Sequence, residues 1–537
     1  MRPLGEKRGI VDWLFPSVSD LIFLCLLFWA LRYGVQFLAD GDTGWHIITG
    51  KGILDTFKVP YADPYSYTMS ATPWTSHEWL AEVVFASIHR VAGLNGVVAL
   101  TASVVAFTSF LLYRYLVMRG AGVFSAVFMT VIAALASSLH WLARPHIFSM
   151  PLTLATFIVL EGYQREGKNR LWLLPAIVLV WVNLHGGYIL GIMMALIYSG
   201  GNLVKWLASE RTDSESGKKA EAFTVIALLM LLAACVNPHG PAILYFPFHL
   251  VGRAFIMDNI MEWLSPDFHT DKVFEFMLLF YAAIILISKK RVDIIEGTLL
   301  LFLTHMSLYS ARYIPLLALV ATPIVALRAS DVMMGIAERF PKEGPINKAS
   351  SLLAKKSDEM ALFEHRFRTH LWIYASLAAC FAIVFHGGTA FGRQVMDYRH
   401  SKKIFPVDAF EFAVKNGING RMFNNDGWGG YIIYRGYPAY KVFFDGRSDM
   451  YGVPFLKEYV KVARADKGFE DVLGKYGVDW VIYDSNAALC QLLEASGNWR
   501  LVYADKTADI LLKDTPQNRG LIEKYKYVRF VPKGDKE

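Results

Sequence analysis

The chain has 537 residues, of which 54% are hydrophobic and 19% are charged, and its formal net charge is +7. A soluble protein needs more charge to cover its surface, so this composition excludes an ordinary soluble protein and is typical of a chain that crosses a membrane many times. The positive charges are spread over many short loops, which argues against a nucleic-acid partner. Four cysteines indicate no disulfide framework.

Long apolar segments recur from the first span to residue 387, and a window of about 19 residues predicts about eleven membrane-spanning helices. They lie at 19–38, 96–117, 122–139, 147–162, 171–184, 187–204, 222–236, 274–288, 295–310, 312–328 and 371–387. Arg32 interrupts the first span, which also lacks a small-residue cleavage site, so we expect a retained helix rather than a signal peptide. The sequence predicts a polytopic α-helical membrane domain over residues 1–387.

Two further apolar segments, 79–93 and 241–256, are short or interrupted. We expect them to lie in the membrane interface or to form a re-entrant pair.

Lys and Arg concentrate in the loops on one side of the predicted spans, including the loop 329–370. Positively charged loops stay in the cytoplasm, so the N-terminus and the loop 329–370 are expected there. An odd number of spans then places the loop 39–80 and the C-terminus on the outer face, periplasmic or extracellular. The expected location is a bacterial-type inner or plasma membrane.

The segment 388–404 is predicted to be a linker, and residues 405–537 have the composition of a soluble α/β domain on the outer face. Helices are expected at 408–414 and 455–463. Runs of β-branched and aromatic residues between turn signals predict strands at 431–434, 441–444, 480–483, 501–503 and 510–512.

The loop 39–80, the first outer loop, holds a dense group of polar and aromatic side chains. Its candidate site residues are Asp40, Asp42, Trp45, His46, His77 and Glu78. A carboxylate at a membrane boundary can take a proton from a nucleophile or bind a divalent cation. Asp42 and Glu78 are therefore the candidate catalytic residues, and Asp42 is a candidate ligand for Mg²⁺ or Mn²⁺. The alternative is that Asp40 and Asp42 only cap a helix predicted at 47–57 or lie in solvent.

Further polar side chains lie at or near the outer ends of the later spans. They are Arg144, His146, His185, His239, Glu262 and Arg312. A planar guanidinium forms paired hydrogen bonds with phosphate, which makes Arg144 and Arg312 the candidate phosphate partners. The alternatives are arginines that extend their charge to the interface and histidines that only pack.

The C-terminal domain contributes two glycine-containing stretches of polar and aromatic residues. Trp428 offers a flat face for a sugar ring beside Asp426, and Arg447 follows Asp445 at an alternating position. We expect these four residues to bind substrate if the domain folds back onto the membrane. The alternative is a structural Asp–Arg network at a sheet edge.

The spacing of Asp42, His46, Val59-Pro60, Asp63-Pro64 and Trp74 resembles the first external loop of GT-C glycosyltransferases, and most of all that of oligosaccharyltransferase catalytic subunits. The resemblance implies a polytopic enzyme that takes sugars from polyprenyl-phosphate carriers and carries a soluble domain on its active face. It also implies that Asp42 is the acidic residue after the first helix, acting as base or metal ligand, with Glu78 as a weaker second acid. The later loops depart from the family in having no clean Asp-x-Asp or Glu-x-Asp pair.

The predicted function is transfer of a sugar from a polyprenyl-phosphate or polyprenyl-diphosphate carrier to an unidentified glycan, lipid or protein acceptor, next to membrane lipid and without nucleic acid. One alternative is oligosaccharyltransferase-like transfer of a glycan to protein. The histidines at the outer face leave open a haem- or metal-binding electron-transfer protein, and a transporter is the last alternative.

Overall fold

The computed structural model describes residues 13–246, 255, 263–339, 344–367 and 369–525. Helices dominate this part of the chain as far as residue 385. They are α1 (Val18–Arg32), α2 (Asp42–Thr56), α3 (Trp79–Met118), α4 (Val123–Ser137), α5 (Ser149–Glu166), α6 (Leu173–Leu184), α7 (Tyr188–Ala208), α8 (Ser214–Ala234), α9 (Lys272–Ile287), α10 (Ile294–Tyr309), α11 (Ile314–Arg339), α12 (Pro345–Arg366) and α13 (Leu371–Phe385).

Each predicted span coincides with one of these helices. A long apolar segment favours a helix in nonpolar surroundings, because a helix pairs its backbone N–H and C=O groups internally. Within the described residues, five helical segments are long and apolar enough to cross a membrane by length and composition. They are Trp79–Met118, Val123–His140, Pro145–Glu166, Tyr188–Ala208 and Ala311–Met333. The described chain is thus a mostly helical protein with candidate membrane-spanning helices, whereas the count of about eleven spans and the orientation stay predictions.

The interrupted segment 79–93 and the span at 96–117 belong to one helix, α3. The helix bends at Gly93, whose φ of 58° lies outside the helical region. Of the segment 241–256, the structure describes a 3₁₀ turn at Gly240–Leu244 and little beyond it.

Most of the predicted cytoplasmic loop 329–370 is helical in the described residues. The helix α11 continues to Arg339, and α12 follows over Pro345–Arg366.

The C-terminal region, from about residue 405, is α/β. Its helices are α14 (Val407–Lys415), α15 (Asp426–Gly436), α16 (Ser448–Ala463), α17 (Phe469–Lys475), α18 (Ala488–Ala495) and α19 (Arg519–Lys524). A hairpin of β1 (Thr389–Ala390) and β2 (Arg393–Gln394) precedes it, within the predicted linker. The four-stranded sheet consists of β3 (Met422–Asn424), β4 (Trp480–Asp484), β5 (Trp499–Ala504) and β6 (Ala508–Lys513).

The strand order in this sheet is β3-β4-β6-β5, with β3 parallel to β4 and the other pairs antiparallel. The predicted helices at 408–414 and 455–463 and the predicted strands at 480–483, 501–503 and 510–512 are confirmed.

The strand predicted at 431–434 is wrong, because these residues lie within the helix α15. The side chain of Asn425 caps that helix by accepting a hydrogen bond from the Gly427 N–H at 2.8 Å. Trp428, Tyr431 and Ile432 are spaced three and four residues apart and are buried, which is the helical pattern.

The strand predicted at 441–444 is also wrong, because its backbone pairs outside the sheet. The Val442 N–H donates to the Tyr65 carbonyl at 3.1 Å, and the Tyr67 N–H donates to the Val442 carbonyl at 3.2 Å. The side-chain amide of Asn424 accepts from the Phe443 N–H and donates to the Phe444 carbonyl. This extended segment therefore joins the C-terminal region to the loop 39–80.

Glycines bring α2 and α15 into direct backbone contact. A Cβ on Gly44 would collide with the Gly430 carbonyl, and a Cβ on Gly430 would collide with the Gly41 carbonyl. Side chains at these positions would push the helices apart. The close approach holds the C-terminal region against the residues that follow α1.

Candidate active site

A cavity of about 790 Å³ lies where the ends of several helices, the loop 39–80 and the C-terminal region meet. We call the end of the helix bundle that contacts the C-terminal region the domain end. The charged, imidazole and indole side chains that line the cavity are Asp40, Asp42, Trp45, Trp74, His77, Glu78, Glu82, His140, Arg144, His146, His185, Trp263, Arg312, Asp426, Trp428, Arg447 and Asp449. Its size is that of a pocket for a small molecule.

Arg144 joins the two acidic residues at the start of α2. Its Nη1 lies 2.7 Å from Asp40 Oδ2, and its Nη2 lies 3.0 Å from Asp42 Oδ2. The Asp42 N–H donates to Asp40 Oδ1 at 2.8 Å. Because α2 begins at Asp42 rather than at residue 47, this carboxyl group sits on the first helical turn and faces the cavity.

Burial raises the pKa of Asp42 to about 7, and the nearby charges of Asp40 and Asp445 add to the rise, whereas Arg144 opposes it. Gly446 closes over the same carboxyl group. A Cβ at that position would overlap the Asp42 carboxylate oxygens. The lack of a side chain at Gly446 thus leaves room for the Asp42 carboxyl group, which can both hold and release a proton near neutral pH.

Glu78 lies among three imidazoles that come from three different segments. Its carboxylate oxygens are 3.5 Å from His185 Nε2, 3.6 Å from His77 Nε2 and 3.7 Å from His46 Nε2. Burial raises the pKa of Glu78 to about 7, with Arg144 and Arg312 acting in the opposite direction.

The backbone fixes the proton positions on two of these rings. His185 Nδ1 accepts from the Gly187 N–H at 3.0 Å, so the ring proton is on Nε2 and points toward Glu78. His77 Nδ1 donates to the Thr75 carbonyl at 3.3 Å, so a neutral His77 turns a bare Nε2 toward Glu78. Burial lowers the pKa of His77, which favours that neutral form. A proton on the Glu78 carboxyl group therefore has the unprotonated Nε2 of His77 beside it as an acceptor.

Arg312 has a different environment from Arg144. Its guanidinium carbon lies 4.1 Å from the centre of the Trp263 ring. Among the described residues no carboxylate lies within ion-pair distance of Arg312. Arg312 therefore brings to the cavity a guanidinium that forms no ion pair with a described carboxylate, although its charge opposes the rise in the pKa of Glu78.

Arg447 lies in a buried network between the C-terminal region and the loop 39–80, in which its Nε and Nη2 are paired and its Nη1 has no hydrogen-bond partner among the described residues. Its Nη2 lies 2.8 Å from Asp63 Oδ1 and 2.7 Å from Asp445 Oδ2, and its Nε donates to Asp445 Oδ1 at 2.8 Å. The guanidinium also lies over the rings of Trp74 and Tyr65. These contacts correspond to the structural Asp–Arg network that the sequence left as the alternative.

The C-terminal region supplies one wall of the cavity. Asp426 begins α15 and Asp449 lies on the first turn of α16. Burial raises the pKa of Asp449 to about 6, against the opposing charges of His77 and Arg447. Trp428 is buried, and its Nε1 donates to the Ile404 carbonyl at 2.7 Å. This indole therefore has a structural role in the cavity wall and offers little free ring face for stacking.

Most of the predicted site residues reach this cavity, and three of the described ones do not. His46 is buried behind the wall, with its Nδ1 3.3 Å from Glu82 Oε1. Asp445 is buried against Arg447, and His239 packs against the ring of Tyr61. Glu262 lies outside the described residues.

Three further residues line the cavity that the sequence did not predict as site residues: Glu82, His140 and Asp449. Glu82 follows Glu78 by one helical turn, and that spacing was a usable signal. Asp449 alternates with Arg447, but it reaches the cavity through α16 and not through a strand. His140 ends an apolar helix and carried no signal of its own.

The divalent cation predicted at Asp42 does not find a matching donor set in the described residues. No three His, Cys, Asp or Glu side chains there are placed to hold one metal ion, and the Asp40 and Asp42 carboxylates already pair with Arg144. Divalent Mg²⁺ binds through several oxygen ligands. The cation stays a prediction.

No family model matches the chain, and no curated protein matches it either. Among solved structures, the apo form of the oligosaccharyltransferase of Archaeoglobus fulgidus is similar, with a TM-score of 0.48 and 12% sequence identity over 86% of this chain and 69% of that one. At this identity and score, the likeness establishes no shared chemistry.

Proposed function

We propose that the chain is a membrane glycosyltransferase that moves a sugar from a polyprenyl-phosphate-type carrier to an acceptor, with Asp42 as the base. The observation that carries the proposal is the meeting of acidic residues, arginines and indoles from the helix bundle, the loop 39–80 and the C-terminal region at one cavity. Sugar transfer from a lipid phosphate needs these parts: a base for the acceptor, positive charge for the departing phosphate, and a partly dry pocket.

Asp42 is suited to accept the proton of an acceptor hydroxyl group. Its pKa of about 7 makes it a stronger base than an exposed aspartate while leaving a large ionised fraction at neutral pH. Arg144, whose Nη2 lies 3.0 Å from Asp42 Oδ2, orients this carboxyl group. As the acceptor oxygen bonds to the anomeric carbon, the bond from that carbon to the phosphate oxygen breaks.

Arg312 is suited to stabilise the charge that collects on the departing phosphate. It lies in the 3₁₀ turn Ala311–Tyr313 that precedes α11, and its guanidinium lies over the ring of Trp263. A guanidinium that keeps hydrogen-bond donors free can bind phosphate oxygens in pairs. Glu78 and its imidazoles lie in the same cavity and provide a place for the proton after transfer.

The proposal includes the orientation expected from the sequence, with the domain end on the periplasmic or extracellular face of a bacterial-type membrane. Oligosaccharyltransferase-like transfer to protein is compatible with the same cavity. The metal alternative gains no support from the described residues, because no three His, Cys, Asp or Glu side chains there are placed to hold one metal ion. The haem and transporter alternatives stay predictions.

The test is release of free carrier from labelled polyprenyl-phosphate sugars by purified protein in detergent or nanodiscs. Asp42→Asn should lower the release rate by about a thousand-fold or more, since the acceptor loses its base. The matched control is Asp408→Asn, which changes a half-exposed aspartate paired with Lys402 and should keep full activity. Unchanged activity in Asp42→Asn would remove Asp42 from the mechanism.

A further inference from the structure

The short hairpin of β1 and β2 carries a fully exposed phenylalanine at its tip. Ala390 pairs with Arg393, so Phe391 and Gly392 form a two-residue turn, with φ of 50° and 72°. Turns of this kind favour Asn, Asp or Gly at the first position, and a bulky aromatic residue at positive φ is rare there. The relative exposure of Phe391 is 104%. Reversing the chain does not require this ring, so the ring needs another explanation.

The hairpin has a fixed base on the helix bundle. On α3, the side chain of Asn95 donates to the Met396 carbonyl at 3.1 Å and accepts from the Tyr398 N–H at 2.8 Å. The Tyr398 hydroxyl donates to the carbonyl of Leu31 on α1. A Cβ on Gly388 would collide with the Met396 carbonyl, so the two sides of the hairpin meet closely at its base. These contacts set the position of the tip relative to α1 and α3.

The hairpin lies at the domain end of the bundle. Just before α13, His370 Nδ1 lies 2.8 Å from Oδ1 of Asp20, which is in the first turn of α1. At the other end of α13, Val384 belongs to a hydrophobic cluster that packs against Leu31, near the last residue of α1. The two helices therefore run in the same direction. The hairpin follows α13 on the side where α1 leads into Asp40 and the cavity.

The helix α13 is apolar but short for a membrane span. Its 15 residues correspond to about 22 Å, whereas the hydrocarbon core of a bilayer is about 30 Å thick. Phe381 and Phe385 are exposed on it, as side chains that face lipid are. The remaining distance of about 8 Å has to be covered by residues next to the helix ends. The hairpin begins at Thr389, directly after the helix, which brings its tip to the level of the membrane boundary.

We infer that the hairpin of β1 and β2 is a membrane anchor, with the ring of Phe391 inserted among the lipid chains just below the headgroups at the domain end. An aromatic ring at this depth exchanges contacts with water for contacts with lipid, which Asn or Gly in the turn could not do. Arg393 is exposed at the other side of the turn, where its charge can meet lipid phosphates. The anchor would hold the chain leading into the C-terminal region at the bilayer surface.

The test measures the depth of a nitroxide spin label on the full chain in nanodiscs. Cys25 and Cys235, which are not buried, are first replaced by alanine. Three chains then carry one label each, through Phe391→Cys, Val414→Cys or Phe381→Cys. Val414 is the matched control in water, because it is an exposed apolar residue on α14 of the C-terminal region, and Phe381 is the reference within a predicted span. Electron paramagnetic resonance gives the accessibility of each label to oxygen, which concentrates in lipid, and to a water-soluble nickel chelate.

The label at position 391 should resemble the one at 381, with high oxygen accessibility and nickel accessibility about five-fold or more below that at 414, as expected for a depth of about 5–10 Å. Nickel accessibility equal to that at 414 would place the hairpin in water and overturn the inference. Low accessibility to both reagents would show that protein covers Phe391, which would overturn it equally. The measurement needs no sugar-transfer activity, so its outcome is independent of the proposed function.

Discussion

The two ends of helix α5 both lie among charged side chains, but the charges are arranged differently. At its last turns, Arg165 pairs with Glu161 and with Glu296, and Glu296 also pairs with Arg328, all at 2.5 Å. At its first turn, Ser149 contacts His185 at the edge of the cavity. The helix has 18 residues, so the two ends are roughly 27 Å apart.

The far end is neutralised and closely packed, whereas the domain end is acidic and open. At the far end each described carboxylate forms an ion pair with a guanidinium in a mostly buried setting. These ion pairs link neighbouring helices. At the domain end, burial raises the pKa of Asp42 and Glu78 to about 7, and both residues line a cavity of about 790 Å³ together with Arg312. Buried acids with raised pKa values beside free volume are typical of a ligand site, whereas a structural network pairs its charges without leaving a cavity.

The largest expected effect on stability is at the far end. Glu296→Gln would leave Arg165 and Arg328 with less compensation in a buried setting, which should cost about 3–5 kcal/mol of unfolding free energy. The measurement is the melting temperature in detergent, with the exposed Glu275→Gln as control. Binding of the carrier lipid at 20 °C should be unchanged. A binding defect in folded Glu296→Gln protein would contradict the assignment of a structural role to the far end and of the ligand site to the domain end.

The second effect is the pH dependence that Glu78 gives to stability. Its pKa is raised in the folded state, from 4.5 to about 7, so the folded chain binds more protons than the unfolded chain in that window. Stability should therefore fall as pH rises from about 4.5 to 7, by on the order of 3 kcal/mol for this group. Melting curves across this window should show a shallower decline for Glu78→Gln than for the unmodified chain; identical slopes would contradict the assignment.

A smaller effect is expected at Gly446, where a methyl group would press on the Asp42 carboxylate. Gly446→Ala should cost about 1–3 kcal/mol of stability and reduce activity, because Asp42 must shift. Gly474→Ala is the control, since nothing lies within 4 Å of a Cβ placed there on α17. That change should be neutral or slightly stabilising, and equal losses in both variants would argue against close contact at Asp42.

The helices could be predicted from the sequence because apolar runs of this length have few other stable arrangements. The gathering of Asp42, Arg144 and Arg312 at one end was also predictable, since alternate helix ends share a side. The orientation of His46, which points away from the cavity, could not be predicted. Both faces of α2 are buried, so the burial pattern does not show which side chains face the cavity. The strand error at 441–444 has a similar cause: the partner of that segment is Tyr65 in a distant loop, which local pattern does not show.

The role of Arg447 was open for the same reason. Its nearest acids are Asp445, two residues away, and Asp63, which is distant in sequence. Only the folded arrangement shows that both neutralise it, and so separates Arg447 from Arg312.

The most direct test of the shared cavity is photolabelling with a polyprenyl phosphate that carries a diazirine next to its phosphate. Mass spectrometry should find adducts both in the segment 74–82 and in the segment 426–449, and unlabelled polyprenyl phosphate should suppress both. Adducts confined to the helix bundle, or labelling of the C-terminal region that the unlabelled lipid does not suppress, would contradict a single carrier site built by both regions.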